Sequence, residues 1–146
     1  MNNSSVLVDT NILLYAHDES SFYHEKAKDF LEKNLPEQNL AISTQNIIEY
    51  YSLVTNPKRF SVAISSKAVQ DRIGKWLETG FYKIISPTVT TTITLLRILG
   101  DLPIKGPDIF DAYLAATAID NGIDTIYTAD AKIFKKLGLK VIDPLT

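Results

Sequence analysis

Two kinds of apolar pattern alternate along the chain. Val6-Leu7-Val8, Leu40-Ala41-Ile42, Phe81 to Ile85, Thr125-Ile126-Tyr127 and Val141-Ile142 are short apolar or β-rich runs. They are too short for helices, and neighbouring positions are apolar rather than alternating with polar ones. That predicts strands buried on both faces. Between them, apolar residues recur every three or four positions. Thr10-Asn11 caps a short helix through Ile12–His17. A second helix runs from Tyr23 to Asn34, with Ala27, Phe30 and Leu31 at helical spacing and Pro36 as its stop. Ser43 or Thr44 caps a third, with Ile47, Ile48, Tyr51 and Val54 as its apolar stripe and Asn56-Pro57 at its end. Ser66 to Glu78 forms another, closed by Gly80. Asp108 caps an alanine-rich helix to Asn121, stopped by Gly122. Asp130 caps a short one to Leu137, stopped by Gly138. Thr88 to Leu99 reads both ways. Its β-branched residues favour a strand, whereas the spacing of Val89, Ile93 and Leu96 and the following Gly100 favour a helix. Helix is the assignment.

Strands alternating with helices predict an α/β fold, with parallel strands joined by right-handed crossovers that place helices on both faces of the sheet. The expectation is one domain over residues 1–146, with about five strands in a mostly parallel sheet and six or seven helices. In such sheets ligands bind at the carboxyl ends of the strands, so chemistry is sought there.

Composition adds boundaries. The chain is 45% hydrophobic and 22% charged, ordinary for a single globular domain. There is no cysteine, so disulfide frameworks and thiolate zinc sites are excluded. No apolar run is long enough to span a bilayer, and polar Met1–Ser5 lacks a secretory pattern. A cytoplasmic protein without membrane contact is the expectation. A net charge of -2 is not the basic footprint of most nucleic-acid binders. A cluster of cation-binding carboxylates would lower the formal charge, and bound cations would restore it. Lys58-Arg59, and Lys132 with Lys135-Lys136, remain as short basic stretches.

Four acids fall where chemistry is expected. Asp9 ends the first strand and Asp130 lies just past the fourth. Glu49 lies one turn into the helix after the second strand. Asp111 lies one turn into the helix before the fourth, and that helix could start at either sheet edge. Helical spacing stacks Asp111 with Ala115 and Ala118, flanked by Leu114, and leaves Tyr113, Thr117 and Asp120 on the opposite, wetter face. A carboxylate on a packing face is costly unless paired, hydrogen-bonded or metal-bound. The simpler roles are caps: Asp9, Asp108 and Asp130 each stand at a helix start, and Glu49 lies off its helix's apolar stripe, as a solvent-facing glutamate would. Converging carboxylates repel one another, which raises their pKa values or recruits a hard cation such as magnesium or manganese. One or two such ions polarise a phosphodiester and activate water.

These segments resemble the PIN-domain family, specifically its small toxin-type ribonucleases. The matching pieces are Val6-Leu7-Val8-Asp9-Thr10-Asn11, then Glu49, then Asp111-Ala112-Tyr113-Leu114-Ala115-Ala116-Thr117-Ala118, and Thr128-Ala129-Asp130 followed by Phe134. They occur in order over essentially the whole chain. The resemblance implies a three-layer α/β/α sandwich and a magnesium- or manganese-dependent endoribonuclease with Asp9, Glu49, Asp111 and Asp130 as metal-binding catalytic acids. It implies Thr10, Asn11 and Thr128 as supporting hydrogen-bonders, while Asp108 could serve as an outer group. It further implies an RNA substrate, a homodimer and a small cognate antitoxin. The alternative is a PIN-like scaffold that binds RNA or protein without cleaving it. An aspartyl phosphotransferase fits less well, because Asn11 stands where a second aspartate is needed. The six glycines form no phosphate-binding loop. His17 and His24 are read as bland residues rather than as a metal-free acid–base pair.

Overall fold

The computed structural model describes residues 5–34, 39–60 and 62–146; Pro36, the expected stop of the second helix, and most of the polar N-terminus lie outside them. The order is β1 (Val6–Val8), α1 (Thr10–His17), α2 (His24–Asn34), β2 (Leu40–Ser43), α3 (Thr44–Val54), α4 (Ser66–Thr79), β3 (Lys83–Ile85), α5 (Val89–Asp101), α6 (Asp108–Asp120), β4 (Thr125–Tyr127), α7 (Ala131–Lys136) and β5 (Lys140–Ile142). The five strands form one sheet in the order β3-β2-β1-β4-β5. Every pairing is parallel, so the sheet is wholly rather than mostly parallel.

Strand alternation sorts the core into two layers. Val8, Leu40 and Ile42 point into one cluster with side chains of α1, α2, α3 and α4. Leu7, Ala41, Ile85 and Ile126 point the other way, into a cluster with α6 and α7. Helices therefore cover both faces, which is why the strands read as unbroken apolar runs. The chain leaves β1 toward β2 and β3, then returns past it to β4 and β5. The direction reverses between β1 and β4, and a crevice opens at the carboxyl ends of those strands.

Four local expectations are corrected. Asp9, not Thr10 or Asn11, is the N-cap of α1. Pro107 is the N-cap of α6, so Asp108 is a first-turn residue, and no side chain caps that end. Asp130 occupies the N-cap of α7, but its side chain makes no capping bond. Gly100 does not stop α5, which runs on to Asp101.

The apolar stripes also differ. α3 buries Asn46, Tyr50 and Val54, while Ile48 is 70% exposed. Thr117 of α6 is buried, not wet. In α5 the stripe that marks the helix, Val89, Ile93 and Leu96, faces outward. The inward contacts come from Leu95 and Ile98, and from Thr91 and Thr94, whose hydroxyls donate to Asp120 at 2.9 and 2.7 Å. The start of α5 is thus tied to the end of α6, and the two helices pack as an antiparallel pair. This pairing carries the first turn of α6 back to the carboxyl edge of the sheet.

Phe134 is completely buried beneath α7, so Phe134→Ala should cost about 3–5 kcal/mol in chemical denaturation. Leu77→Ala, at a 57% exposed position of α4, should stay within about 0.5 kcal/mol of wild type. Equal losses at the two sites would contradict the layer assignment.

Candidate active site

Four helix N-termini converge at the crevice. Asp9 stands at the start of α1, Asp108 and Asp111 in the first turn of α6, and Asp130 at the start of α7. Glu49 lies in the second turn of α3. The unpaired N–H groups at these ends carry partial positive charge, which eases the gathering of carboxylates.

Hydrogen bonds fix the innermost two. Asp9 Oδ1 accepts from the Thr10 N–H at 2.8 Å, and Oδ2 accepts from the Thr128 hydroxyl at 2.8 Å. The Asp9 N–H donates to the Tyr127 carbonyl at 3.0 Å, joining it to the end of β4. Thr128 Oγ1 in turn accepts from the Asp130 N–H at 2.9 Å and from Asn11 Nδ2 at 3.4 Å. On the other side, Thr10 Oγ1 donates to Glu49 Oε2 at 3.0 Å and accepts from Asn46 Nδ2 at 3.0 Å. Asn46 is held because its Oδ1 accepts the Ser43 N–H at 2.9 Å while Ser43 Oγ accepts from Gln45 and Asn46, a reciprocal capping box at the head of α3. Gln45 Nε2 donates both to Glu49 Oε1 and to the Phe110 carbonyl, each at 2.9 Å, bridging α3 and α6.

The electrostatics follow from that crowding. Burial is the largest influence on Asp9 and pushes its pKa up to about 7, with smaller upward pushes from Asp111 and Glu49; the bonds from Thr128 and Thr10 oppose the rise. Asp111 is raised to about 6, first by burial, then by the fields of Asp130, Glu49 and Asp108. Asp111 and Glu49 thus act on Asp9, and Asp130, Glu49 and Asp108 act on Asp111, which links the four expected acids and Asp108 through Asp111. Asp108, Asp111 and Asp130 line one cavity of about 230 Å³, shared with Lys132, Ile133 and Lys136. A larger cavity of about 460 Å³ lies around His17, at the far end of α1 from Asp9. His17 is not a surface residue. It accepts from or donates to Tyr50 Oη at 3.0 Å and stacks on Trp76, and burial first, then Arg72, lowers its pKa to about 4. A neutral, half-buried imidazole in an aromatic cluster is structural.

Among the described residues no three acidic or histidine side chains are close-set enough to cage a metal by themselves. Magnesium does not need such a cage, because it keeps several waters and takes one or two carboxylates. The residues present fit that mode. Hard oxygen donors converge, two of them hold protons abnormally tightly, and Gln45 Oε1 is a buried acceptor without a donor one turn before Glu49. A cation's water shell is one source of the missing proton.

Sequence reasoning misses Gln45 and Asn46. Asn46 has a legible signal, as the third position of a capping box behind Ser43. Gln45 has none, because its value lies in reaching a carbonyl of α6 that is distant in sequence.

Residues 6–140 match the family model for the PIN domain. The chain belongs to the PIN-domain family. Among curated proteins it is 22% identical to "Ribonuclease VapC48" of Mycobacterium tuberculosis, over 94% of this chain and 96% of that one. Among solved structures, the sarcin-ricin loop cleaving toxin VapC20 of Mycobacterium tuberculosis superposes with a TM-score of 0.71 at 18% identity, covering 92% of this chain and 96% of that one. The VapBC2 complex of Rickettsia felis, bound to a promoter DNA fragment, gives a TM-score of 0.68 at 20% identity, with 94% and 96% covered. The wholly parallel three-layer sandwich is the PIN fold.

In this PIN domain the raised carboxyls carry a pH signature. A folded-state pKa above the unfolded value means that the folded chain binds protons the unfolded chain has released. Stability is then lost as pH climbs from about 4 toward 7. His17, with its pKa lowered to about 4, works the other way and adds stability as pH rises from 4 to about 6.5, so the acid is read by difference. In EDTA, the unfolding free energy of wild type relative to Asp9→Asn should fall between about pH 5 and pH 8 by roughly 3 kcal/mol. A difference that does not change with pH would remove the buried-acid account.

Proposed function

We propose that this protein is a magnesium- or manganese-dependent endoribonuclease that hydrolyses RNA phosphodiester bonds, and that it acts in the cytoplasm as the toxin of a toxin–antitoxin pair. The carrying observation is the set of carboxylates gathered around Asp9 and Asp111 at the reversal point of the sheet, with both of these held well above the usual carboxylate range. The names of the relatives support the reaction and the biological setting, and the VapBC2 complex supports an antitoxin partner.

In this reading Asp9, Glu49, Asp111 and Asp130 would hold one or two cations, with Asp108 as an outer carboxylate in the same cavity. A bound cation supplies charge neutralisation at the phosphodiester and a more acidic attacking water. Thr10 and Thr128 orient the Glu49 and Asp9 carboxylates, Asn11 and Asn46 orient the two threonines, and Gln45 keeps α3 and α6 in register. The water oxygen bonds to phosphorus as the ester P–O bond breaks, and the departing oxygen takes up a proton. The carboxylates titrate as a unit, so the base is the cluster rather than one residue.

Homodimerisation belongs to the same reading. Val89, Ile93 and Leu96 make an outward apolar face on α5, 86%, 51% and 62% exposed. Light scattering at micromolar concentration should give a dimer, and Ile93→Glu a monomer; a wild-type monomer removes the dimer from the proposal.

The test of activity begins with magnesium or manganese titrated into wild type and Asp9→Asn/Asp111→Asn, followed by cleavage of a mixed structured-RNA pool. Wild type should bind metal, gain about 2.7 kcal/mol of stability at a hundredfold excess over Kd, and cut only without EDTA. The double variant should do none of these. Thr128→Val should lower metal affinity or rate about 10–100-fold. The absence of a ready-made cage among the described residues favours a non-cleaving RNA-binding scaffold as the second reading. A wild type that binds the RNA pool but neither binds divalent metal nor cuts would support that reading instead.

A further inference from the structure

Helix α7 is only six residues long, and Lys132 and Lys136 lie four positions apart on one side of it. Both line the cavity that holds Asp108, Asp111 and Asp130. Neither forms an ion pair among the described residues, whose ion pairs are His24–Glu25, Lys67–Asp71 and Lys140–Asp124. Two unpaired cations thus stand at the rim of an acidic site, free for an anion that the acids themselves would repel.

A second cavity, about 330 Å³, adjoins the first through Asp108, Ile133 and Lys136. Its other walls are Leu102, Pro103 and Ile104, from the segment joining α5 to α6. That segment is anchored: Leu102 and Ile104 pack against the buried core, and the Ile104 N–H donates to the Leu102 carbonyl at 2.9 Å. The cavity is therefore preformed, at the small end of the ~300–1,000 Å³ range of ligand sites. Its lining is apolar except at the shared wall, where Lys136 brings positive charge and Asp108 a carboxylate.

We propose that the two adjoining cavities form one nucleotide subsite. Lys132 and Lys136 grip a phosphate of the RNA strand beside the one to be cut, and the apolar cavity receives the unstacked base of that nucleotide. The occupant is fixed by charge complementarity. It must present an anion to the lysines and a compact apolar body to Leu102, Pro103, Ile104 and Ile133, within reach of one shared lysine. A single-stranded nucleotide does so, because its base can be splayed from the stack and held between apolar side chains. A duplex does not, because its bases are enclosed. The inference rests on the ribonuclease reading above, and it assigns to α7 and the α5–α6 segment the choice of which unpaired base lies next to the cut.

The experiment uses the full chain in EDTA, so that neither metal nor cleavage enters. A short fluorescent single-stranded RNA of mixed sequence and an abasic ribose-phosphate strand of equal length are titrated across a range of salt. Wild type should bind the base-bearing strand at least several-fold more tightly. Lys132→Ala/Lys136→Ala should reduce the slope of log affinity against log salt by about 0.7, the loss of the one single-strand phosphate that the two lysines share. Lys67→Ala, on α4 and already paired with Asp71, should leave the slope unchanged. Ile104→Phe, which fills the cavity, and Pro103→Gln, at an exposed position, should each bring the base-bearing to abasic ratio toward one with the slope intact. Two variants guard against one that merely misfolds, and thermal melts identify it. Equal wild-type affinity for the two strands, or an unchanged slope in the lysine double variant, overturns the subsite. If wild type cuts RNA in magnesium while these variants bind as wild type does, the subsite falls and the nuclease stands. If the variants behave as expected but wild type never cuts, the nuclease reading falls and the subsite stands as an RNA-binding groove.

Discussion

Mutual repulsion among carboxylates at the carboxyl edge of the sheet is the constraint around which this structure is built. Asp9 is buried, and Asp111 is partly buried beside three other acids. Left alone, such a group would protonate or pull the crevice open. Three features hold it. The sheet order brings β1 and β4 side by side, so Asp9 and Thr128 meet without a long loop between them. The starts of α1, α6 and α7 deliver partial positive charge to the same place. Each of the two innermost acids, Asp9 and Glu49, has its carboxylate oxygens engaged by protein donors. These favour the ionised forms, and burial still prevails at Asp9, whose pKa remains raised.

Thr10 and Thr128 do matching work on opposite sides of Asp9. Each hydroxyl donates to one carboxylate and accepts from an asparagine amide, Asn46 for Thr10 and Asn11 for Thr128. A hydroxyl that must accept from an amide has its own proton directed elsewhere, here at an acid. The orientation is thus set two bonds back from the carboxylate. Replacing either threonine by valine keeps the shape and removes the direction, which is why these residues matter beyond packing.

Much of this arrangement is legible in the amino-acid sequence. The acids can be read because a strand's end and a helix's first turn are both visible in an apolar pattern, and a parallel sheet gathers such positions at one edge. The boundaries of β1, β2 and β4 fall close to their expected places for the same reason. The faces of α3 and α5 are not legible. In α3 the buried side is Asn46, Tyr50 and Val54, two of them polar-capable, because Asn46 serves the Thr10 hydroxyl and the Tyr50 hydroxyl meets Arg72 and His17. A hydrophobicity count scores those positions as outward and turns the stripe by most of a quadrant. That error also makes Glu49 look like a solvent-facing residue. In α5 the error runs the other way. Thr91 and Thr94 turn inward to satisfy Asp120, and three apolar residues are left facing out. Polar residues with a partner distant in sequence defeat periodicity in both helices.

The short helix α7 shows how the fold keeps cations near this site without cancelling it. Six residues cannot hold a helix in water by propensity. What holds α7 is Phe134, fully buried against the layer that also contains Ile126 and Ala115. Lys132 and Lys136 flank Phe134 by two positions on either side, which places them about 200° around the helix from it and turns them away from the core. There they line the cavity with Asp108, Asp111 and Asp130, and neither is ion-paired with an acid among the described residues. A lysine free to reach the acids would pair with them, lower their pKa values and fill the place of a cation. Anchored as it is, the pair stays outside the carboxylates and adds positive charge to the rim alone. The same anchor fixes Ile133, the wall common to the acidic and apolar cavities. One buried phenylalanine therefore sets the spacing between the acids that would bind a cation and the lysines that would bind the strand.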